Sequence, residues 1–153
     1  MKALELKIPP PVVLLIVAAA MWAVSWFGQP FNLDDSSQTA LAGSIAIIGA
    51  GIDIFCVISF WRAKTTVNPL RPRNSSALVT SGAYRFSRNP MYLGQALIVA
   101  AWAVFLSTAW AYAGPALFVL YLNRYQIGPE EKVLAKMFGA EYLAYRTRVR
   151  RWM

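Results

Sequence analysis

The sequence predicts an all-α, polytopic membrane protein with about four transmembrane helices and a cytoplasmic, helical C-terminal tail. Three observations predict it: an excess of apolar residues, four long apolar runs and a one-sided distribution of cations. Of 153 residues, 58% are hydrophobic and 14% are charged, whereas soluble domains have about 45–50% and 25%. A chain of 17.0 kDa cannot bury that excess in its own core, because small domains leave much of their surface exposed.

The first two apolar runs predict spans at about 12–28 and 40–61. The first run is short for a span, which needs about 20 residues, so flanking residues are expected to extend it. Lys2 and Lys7 make a signal peptide the alternative interpretation, but bulky aromatic residues stand where a cleavage site needs small ones. Asp53 interrupts the second run; an intramembrane acid is either functional or hydrogen-bonded to a neighbouring helix.

Two further apolar runs predict spans at about 91–106 and 109–125. They are separated only by Ser107-Thr108, which predicts two short, tilted helices joined by a tight turn. The stretch 62–90 is polar and rich in proline, and it predicts a loop with short turns.

The C-terminal tail, from Pro129 on, is polar with a helical pattern. Proline suits the first position of a helix, and Glu130 and Glu131 suit its first turn, where the helix dipole favours acids. Apolar residues recur at spacings of three and four, which predicts one apolar face. These residues are Leu134, Phe138, Tyr142 and Tyr145.

The distribution of lysine and arginine predicts the topology. All fifteen cations precede the first span, lie between the second and third, or lie at the end of the fourth and beyond it. Because such residues stay on the cytoplasmic side of a membrane, both termini are predicted to be cytoplasmic. The polar segments 62–90 and 124–153 should then meet at the cytoplasmic face, where a soluble cofactor can reach them.

Composition also excludes several kinds of chemistry. The chain has no histidine and one cysteine, Cys56, which excludes a histidine base, an internal disulfide and the common zinc sites. No metal site is predicted. The net charge of +8 indicates attraction to anionic lipid headgroups; nucleic-acid binding is not expected, since the cations flank spans.

The segment from Leu78 to Gly94 leads from a loop into the third span. In a purely structural interpretation, Gly82 makes a turn, Pro90 opens the helix and the tyrosines anchor at the interface. In a functional interpretation, Asn and Tyr side chains face the cytosol at this helix start, and its free backbone N–H groups can hold an anionic or carboxylate-bearing ligand. Gly43, Gly49 and Gly51 are typical of close helix packing.

Four separated motifs in residues 65–153 resemble one family. They are Leu78-Val79-Thr80-Ser81-Gly82-Ala83-Tyr84, Arg88-Asn89-Pro90-Met91-Tyr92-Leu93-Gly94, Glu130-Glu131 and Phe138-Gly139-Ala140-Glu141-Tyr142. Their order and distances resemble the isoprenylcysteine carboxyl methyltransferase and phospholipid methyltransferase superfamily of integral membrane enzymes. The resemblance implies one membrane methyltransferase domain over 1–153, with a cofactor region at 76–92 and 124–153.

The resemblance implies S-adenosyl-L-methionine as the cofactor and S-adenosyl-L-homocysteine as its product. Catalytic roles are implied for Glu130, Tyr92 and Asn89. The cofactor pocket implied by position is lined by Leu78, Val79, Tyr84, Asn89, Pro90, Met91, Tyr92 and Glu130, with Glu131 as a supporting residue. Gln126, Arg124 and Asp53 are the candidates for contact with the methyl acceptor.

The chain departs from the family pattern at two positions. Asn89 replaces the usual histidine, as in the phospholipid N-methyltransferases. Gln126 stands where the isoprenylcysteine enzymes carry an arginine for the acceptor's carboxylate, and a neutral amide cannot replace a charge-assisted clamp.

The resulting expectation is an enzyme that methylates a lipophilic acceptor, either isoprenylcysteine carboxylate-like or phospholipid amine-like, entering from the bilayer. The donor methyl of a sulfonium is already activated, so positioning and a dry site matter more than a strong base. The alternatives are an NADPH-dependent membrane reductase of related layout and a non-catalytic membrane scaffold. The sequence does not indicate the oligomeric state.

Overall fold

The computed structural model describes residues 5–31, 34–64 and 77–153. Within these ranges the chain is helical and its only β contact is one isolated bridge, so the predicted all-α class is confirmed. The helices are α1 (Pro10–Ser25), α2 (Asp35–Arg62), α3 (Pro90–Leu106), α4 (Ala113–Tyr121) and α5 (Gly128–Arg148). Two 3₁₀ turns (Gly82–Arg85 and Ala109–Tyr112) and a π-helical segment (Leu122–Ile127) lie between them.

The first two helices begin at local signals. α1 has proline in its first turn and ends at Ser25, three residues before the predicted boundary. α2 starts five residues earlier than predicted, because the Asp34 carboxylate caps it by accepting a hydrogen bond from the Ser37 N–H at 2.8 Å.

Among the described residues, α2 is the one helix that is both long and apolar enough to cross a membrane. α1 and α3 are apolar but have only 16 and 17 residues. The fourth apolar run does not form a uniform helix, since it is divided into a 3₁₀ turn, α4 and the π segment.

α3 is the central helix, with α2 on one side and α1 and α4 on the other. Glycines allow α2 and α3 to approach closely: a Cβ atom at Gly49 would lie 2.6 Å from the Gly94 carbonyl oxygen. Gly43 and Gly51 have nothing within 4 Å of such an atom, so they do not take part in this packing. On the other side of α3, Val99 packs in a core with residues of α1 and α4, such as Phe118.

The helix that follows the turn at Ser107 runs through α4 and the π segment into α5. The sequence predicted that Pro129 opens a separate tail helix, but Ile127 already has helical angles (φ −65°, ψ −47°). Pro129 has no N–H to donate to the carbonyl of Tyr125. The backbone N–H of Leu6 donates to that carbonyl instead, at 3.1 Å. The N-terminal segment therefore supplies the hydrogen bond that the proline cannot give.

α5 is broken at Gly139, which has the non-helical angles φ 49° and ψ −122°. The predicted apolar face continues across this break. Its members Leu134, Phe138, Tyr142 and Tyr145 pack in one cluster with Leu78 and Val149.

The described parts of the two polar segments meet at one end of the bundle, as predicted; that this end is cytoplasmic stays a prediction. The Arg88 N–H donates to the Arg150 carbonyl at 2.9 Å. At the other end, the Gln38 side-chain amide donates to the Phe105 carbonyl at 2.7 Å, and Pro30 bridges to Thr108. The cation-poor loop and the turn between the third and fourth apolar runs therefore lie together.

Candidate active site

The loop before α3 folds its tyrosine inward. Gly82 has φ 61°, a conformation that glycine adopts without the strain a side chain would add. The 3₁₀ turn that follows buries Tyr84 in a cluster with Val79 and Cys56, and Met91 of α3 packs against it. Four residues predicted for the cofactor pocket lie at this junction, since Pro90 opens α3 beside them.

A hydrogen-bonded group, which we call the carboxylate site, joins α3 to the last helix. The Tyr92 hydroxyl donates to Glu130 Oε2 at 2.8 Å, and the Gln126 side-chain amide donates to the same hydroxyl at 3.3 Å. Gln126 is 2% exposed and lies in the π segment, a type of helix defect that is frequent at functional sites.

Glu130 retains capacity for a ligand. Its side chain is half-buried, and no hydrogen bond to its Oε1 occurs within the described ranges. Burial raises the pKa of Glu130 to about 7; the Tyr92 hydrogen bond lowers it and the charge of Glu131 raises it. The carboxyl group therefore changes its charge near neutral pH.

Glu131, by contrast, is fully engaged by arginines. Its Oε1 accepts from Arg88 at 2.9 Å, and Arg151 bonds to Oε1 and Oε2 at 3.1 and 2.6 Å. Burial alone would raise the pKa of Glu131, but the hydrogen bonds from Arg151 and Arg88 outweigh it, and the pKa is lowered. This residue is an ion at neutral pH.

Further bonds tie the end of the chain to the start of α3. The Arg151 carbonyl accepts from the Asn89 side-chain amide at 2.9 Å and from the Ser87 hydroxyl at 3.3 Å. These contacts and the ion pairs of Glu131 with Arg88 and Arg151 form what we call the tail clamp. Asn89, predicted to bind cofactor, has its amide nitrogen engaged in this clamp.

The three residues predicted for acceptor contact lie in different places. Gln126 is part of the carboxylate site. Arg124 is exposed, with its guanidinium 5.9 Å from the centre of the Tyr125 ring. Asp53 lies against Gly94 of α3, and its Oδ1 has no hydrogen-bond partner within the described ranges; a bond from Asp53 Oδ1 to a neighbouring helix, the structural alternative, is therefore absent there.

Sequence reasoning did not assign a role in the site to Arg151. It lies in the tail segment Val149-Arg150-Arg151-Trp152, and its partner Glu131 is 20 residues away, so neighbouring residues do not reveal the ion pair. A separate apolar cavity of about 410 Å³ lies between α1 and α4, lined by residues such as Met21 and Leu117, and contains no predicted site residue.

Comparison with known proteins assigns the family. The model of the phospholipid methyltransferase family matches residues 37–141, which include α2 from its third residue on, α3 and the carboxylate site. An uncharacterized protein of Haemophilus influenzae is 43% identical over 63 residues, which are 41% of this chain and 100% of that protein. No solved structure matches. The family match spans most of the chain, and the chain therefore belongs to the phospholipid methyltransferase family of membrane methyltransferases.

Proposed function

We propose that this protein transfers a methyl group from S-adenosyl-L-methionine to a lipophilic acceptor taken from the bilayer. The observation that carries the proposal is the carboxylate site at the start of α3. There a half-buried Glu130, held by Tyr92, keeps one oxygen without a partner among the described residues. It lies within the part of the chain that matches the methyltransferase family.

The residues at this end of the bundle fit the proposed cofactor. Glu130 Oε1 is an acceptor suited to ribose hydroxyls or to a cationic centre, because a carboxylate forms charge-assisted hydrogen bonds. Val79, Tyr84 and Met91 offer an apolar and aromatic surface from the same junction. We assign Leu78 and Pro90 to the walls of this pocket, and Asn89 and Glu131 to holding its shape through the tail clamp.

When bound, the cofactor supplies a methyl group already activated on a positively charged sulfur. The protein's part is to align the acceptor, exclude water and remove a proton. Glu131 is a poor base because two guanidinium groups hold its charge. Glu130, with its pKa near 7, is matched to accept a proton from the acceptor at neutral pH.

The charges favour an amine acceptor over a carboxylate one. Gln126, a neutral amide, donates to Tyr92 rather than presenting a cation, and Arg124 is exposed. A carboxylate acceptor would meet Glu130 without a compensating charge, whereas an amine N–H finds acceptors there. We therefore infer that the phospholipid amine-like class is the substrate.

We place α1, α2, α3 and α4 with the π segment in the membrane, with both termini on the cytoplasmic side. Large apolar side chains are exposed along these helices, among them Leu15, Ile47, Ile54 and Leu120. Cysteine labelling tests this arrangement in a Cys56→Ser background. A membrane-impermeant maleimide added to intact cells should label Ser36→Cys but not Thr147→Cys; the reverse pattern would contradict it.

Calorimetric titration with S-adenosyl-L-homocysteine tests the cofactor site. Glu130→Gln and Tyr92→Phe should each weaken binding at least about tenfold, since each removes a hydrogen bond to or from a charged group. Glu141→Gln is the matched control, because this acid is exposed on α5. Unchanged affinity in both site variants would remove the assignment.

The same titration and a methyl-transfer assay separate the alternatives. Binding of NADPH in place of S-adenosyl-L-homocysteine would indicate a reductase. Cofactor binding without radiolabelled methyl transfer into a total membrane extract would indicate a non-catalytic scaffold. Labelled lipid, identified after extraction, would establish the acceptor.

A further inference from the structure

Gln95 is a buried polar residue of α3 that the site described above does not use. It is 6% exposed. Its Oε1 is buried with no hydrogen-bond partner among the described residues, and no side-chain bond to its amide occurs within them. Buried polar atoms are paired in the large majority of cases, so an unpaired, buried amide oxygen in an apolar helix requires an explanation.

Gln95 lies on the same face of α3 as Tyr92 of the carboxylate site. Gln95 follows Tyr92 by three residues, and side chains at this spacing share one face of a helix. Helical side chains lean towards the N-terminus of their helix, so the long Gln95 side chain extends back over the turn that carries Tyr92. Val99, four residues further on, continues the same buried row.

A purely structural role does not account for this arrangement. Glutamine in a membrane helix commonly holds two helices together by a hydrogen bond, but no bond of this kind is formed by Gln95 within the described ranges. A leucine of similar size would satisfy an apolar row without an unpaired amide.

We propose that Gln95 binds the methyl acceptor, its Oε1 accepting a hydrogen bond from an N–H of the amine that is to be methylated. This inference rests on the proposed function and extends the carboxylate site by one helical turn. One N–H is held by Gln95 while the nitrogen lone pair stays free to attack. On transfer, the nitrogen–carbon bond forms, the carbon–sulfur bond breaks with its electron pair going to sulfur, and a proton from nitrogen passes to Glu130.

The test compares Gln95→Leu with Gln38→Leu, a matched change at a bonded amide of the opposite end. The probe is phosphatidylcholine vesicles containing phosphatidylethanolamine, whose headgroup carries the N–H. For Gln95→Leu we expect the KM for phosphatidylethanolamine to rise about tenfold, as for a lost hydrogen bond, with S-adenosyl-L-homocysteine affinity within about twofold. Its Tm should rise, because an unpaired buried amide is removed. Gln38→Leu should lower the Tm and leave KM unchanged.

Gln95→Glu keeps the length and the acceptor oxygen, so its KM should lie closer to the wild-type value than that of Gln95→Leu. An unchanged KM in Gln95→Leu, or a lower Tm with equal loss of cofactor binding, would overturn the inference. If the wild-type protein binds no S-adenosyl-L-homocysteine, the proposed function fails instead. If it binds the cofactor but methylates no phosphatidylethanolamine, the amine assignment of Gln95 is overturned while the cofactor site stands.

Discussion

The tail clamp and the carboxylate site are neighbours in the chain with opposite electrostatic character. In the clamp, Glu131 accepts three hydrogen bonds from two arginines. One residue earlier, Glu130 accepts a single bond from Tyr92 and keeps an oxygen without a partner in the described part of the chain. A saturated acid stabilises the fold, whereas an acid with spare acceptor capacity is available to a ligand. Two acids that look equivalent in the sequence therefore have different roles: Glu131 stabilises the fold and Glu130 is available to a ligand.

The largest expected effect is on stability, from breaking the clamp. Glu131→Ala leaves Arg88, whose side chain is only 10% exposed, without its counter-charge. Removing one partner of a buried pair costs about 3–5 kcal/mol; Arg151 is 39% exposed, so we expect about 3 kcal/mol of lost unfolding free energy. Thermal unfolding of the purified protein in detergent checks this. A shift no larger than that of Glu141→Ala would refute the structural role of Glu131.

A smaller loss is expected where α2 meets α3. An alanine Cβ at Gly94 would lie 2.7 Å from the Gly49 carbonyl oxygen and would also collide with Asp53. Overpacking of this kind costs about 1–3 kcal/mol, so Gly94→Ala should lower the Tm without changing the charges of either region.

Gly51→Ala is the matched control for this contact. Nothing lies within 4 Å of a Cβ at Gly51, and alanine is the better helix former by about 1 kcal/mol. Its Tm should be unchanged or slightly higher. Equal losses in both variants would argue against the close packing of α2 and α3.

The pH dependence of cofactor binding sharpens the comparison of the two acids. If ionised Glu130 accepts the cofactor's hydrogen bonds, affinity rises with pH and levels off above its pKa of about 7. One such proton makes binding about tenfold weaker at pH 6 than at pH 8. Calorimetry at both pH values measures this, and Glu130→Gln should abolish the dependence.

The stability of the unliganded protein should respond to the same two acids with opposite signs. The raised pKa of Glu130 means that the folded state holds a proton that the unfolded chain releases, so its contribution falls as pH rises from 4.5 to about 7. The lowered pKa of Glu131 makes its contribution present above its ordinary pKa of 4.5 and lost as the pH falls through its lowered folded-state pKa. A pH titration of Tm in Glu130→Gln isolates the second effect.

The smallest effect is expected from Asn89→Ala. The variant loses one hydrogen bond to the Arg151 carbonyl, worth about 1 kcal/mol, while the ion pairs of Glu131 remain. The equilibrium constant for detachment of the tail should increase about fivefold. The rate of tryptic cleavage after Arg150 and Arg151 measures this detachment. A rate equal to that of the wild type would show that Asn89 does not hold the tail.

Local signals were sufficient for much of the fold. Apolar runs located α2 and α3, Pro90 located the start of α3, and Gly82 located the turn that buries Tyr84. These features depend on neighbouring residues, which a sequence displays directly.

Contacts between residues far apart in the chain could not be predicted from the sequence. The N–H that meets the Tyr125 carbonyl below Pro129 comes from Leu6, more than a hundred residues away. The different roles of Glu130 and Glu131 depend on which of them meets Tyr92 and which meets Arg88. The family resemblance located both acids, but only their partners distinguish them.

The π segment at Leu122–Ile127 changes the direction in which the side chains of the last helix point around its axis. In an α-helix, residues four apart drift by about 40° around the axis, so a row from Phe118 through Leu122 and Gln126 to Glu130 would wind away from α3. The wider π turn takes back part of that rotation and keeps one continuous edge directed at Tyr92. Deleting a single residue there would turn both acids by about 100° around the helix axis, which places Glu131 where Glu130 now faces Tyr92.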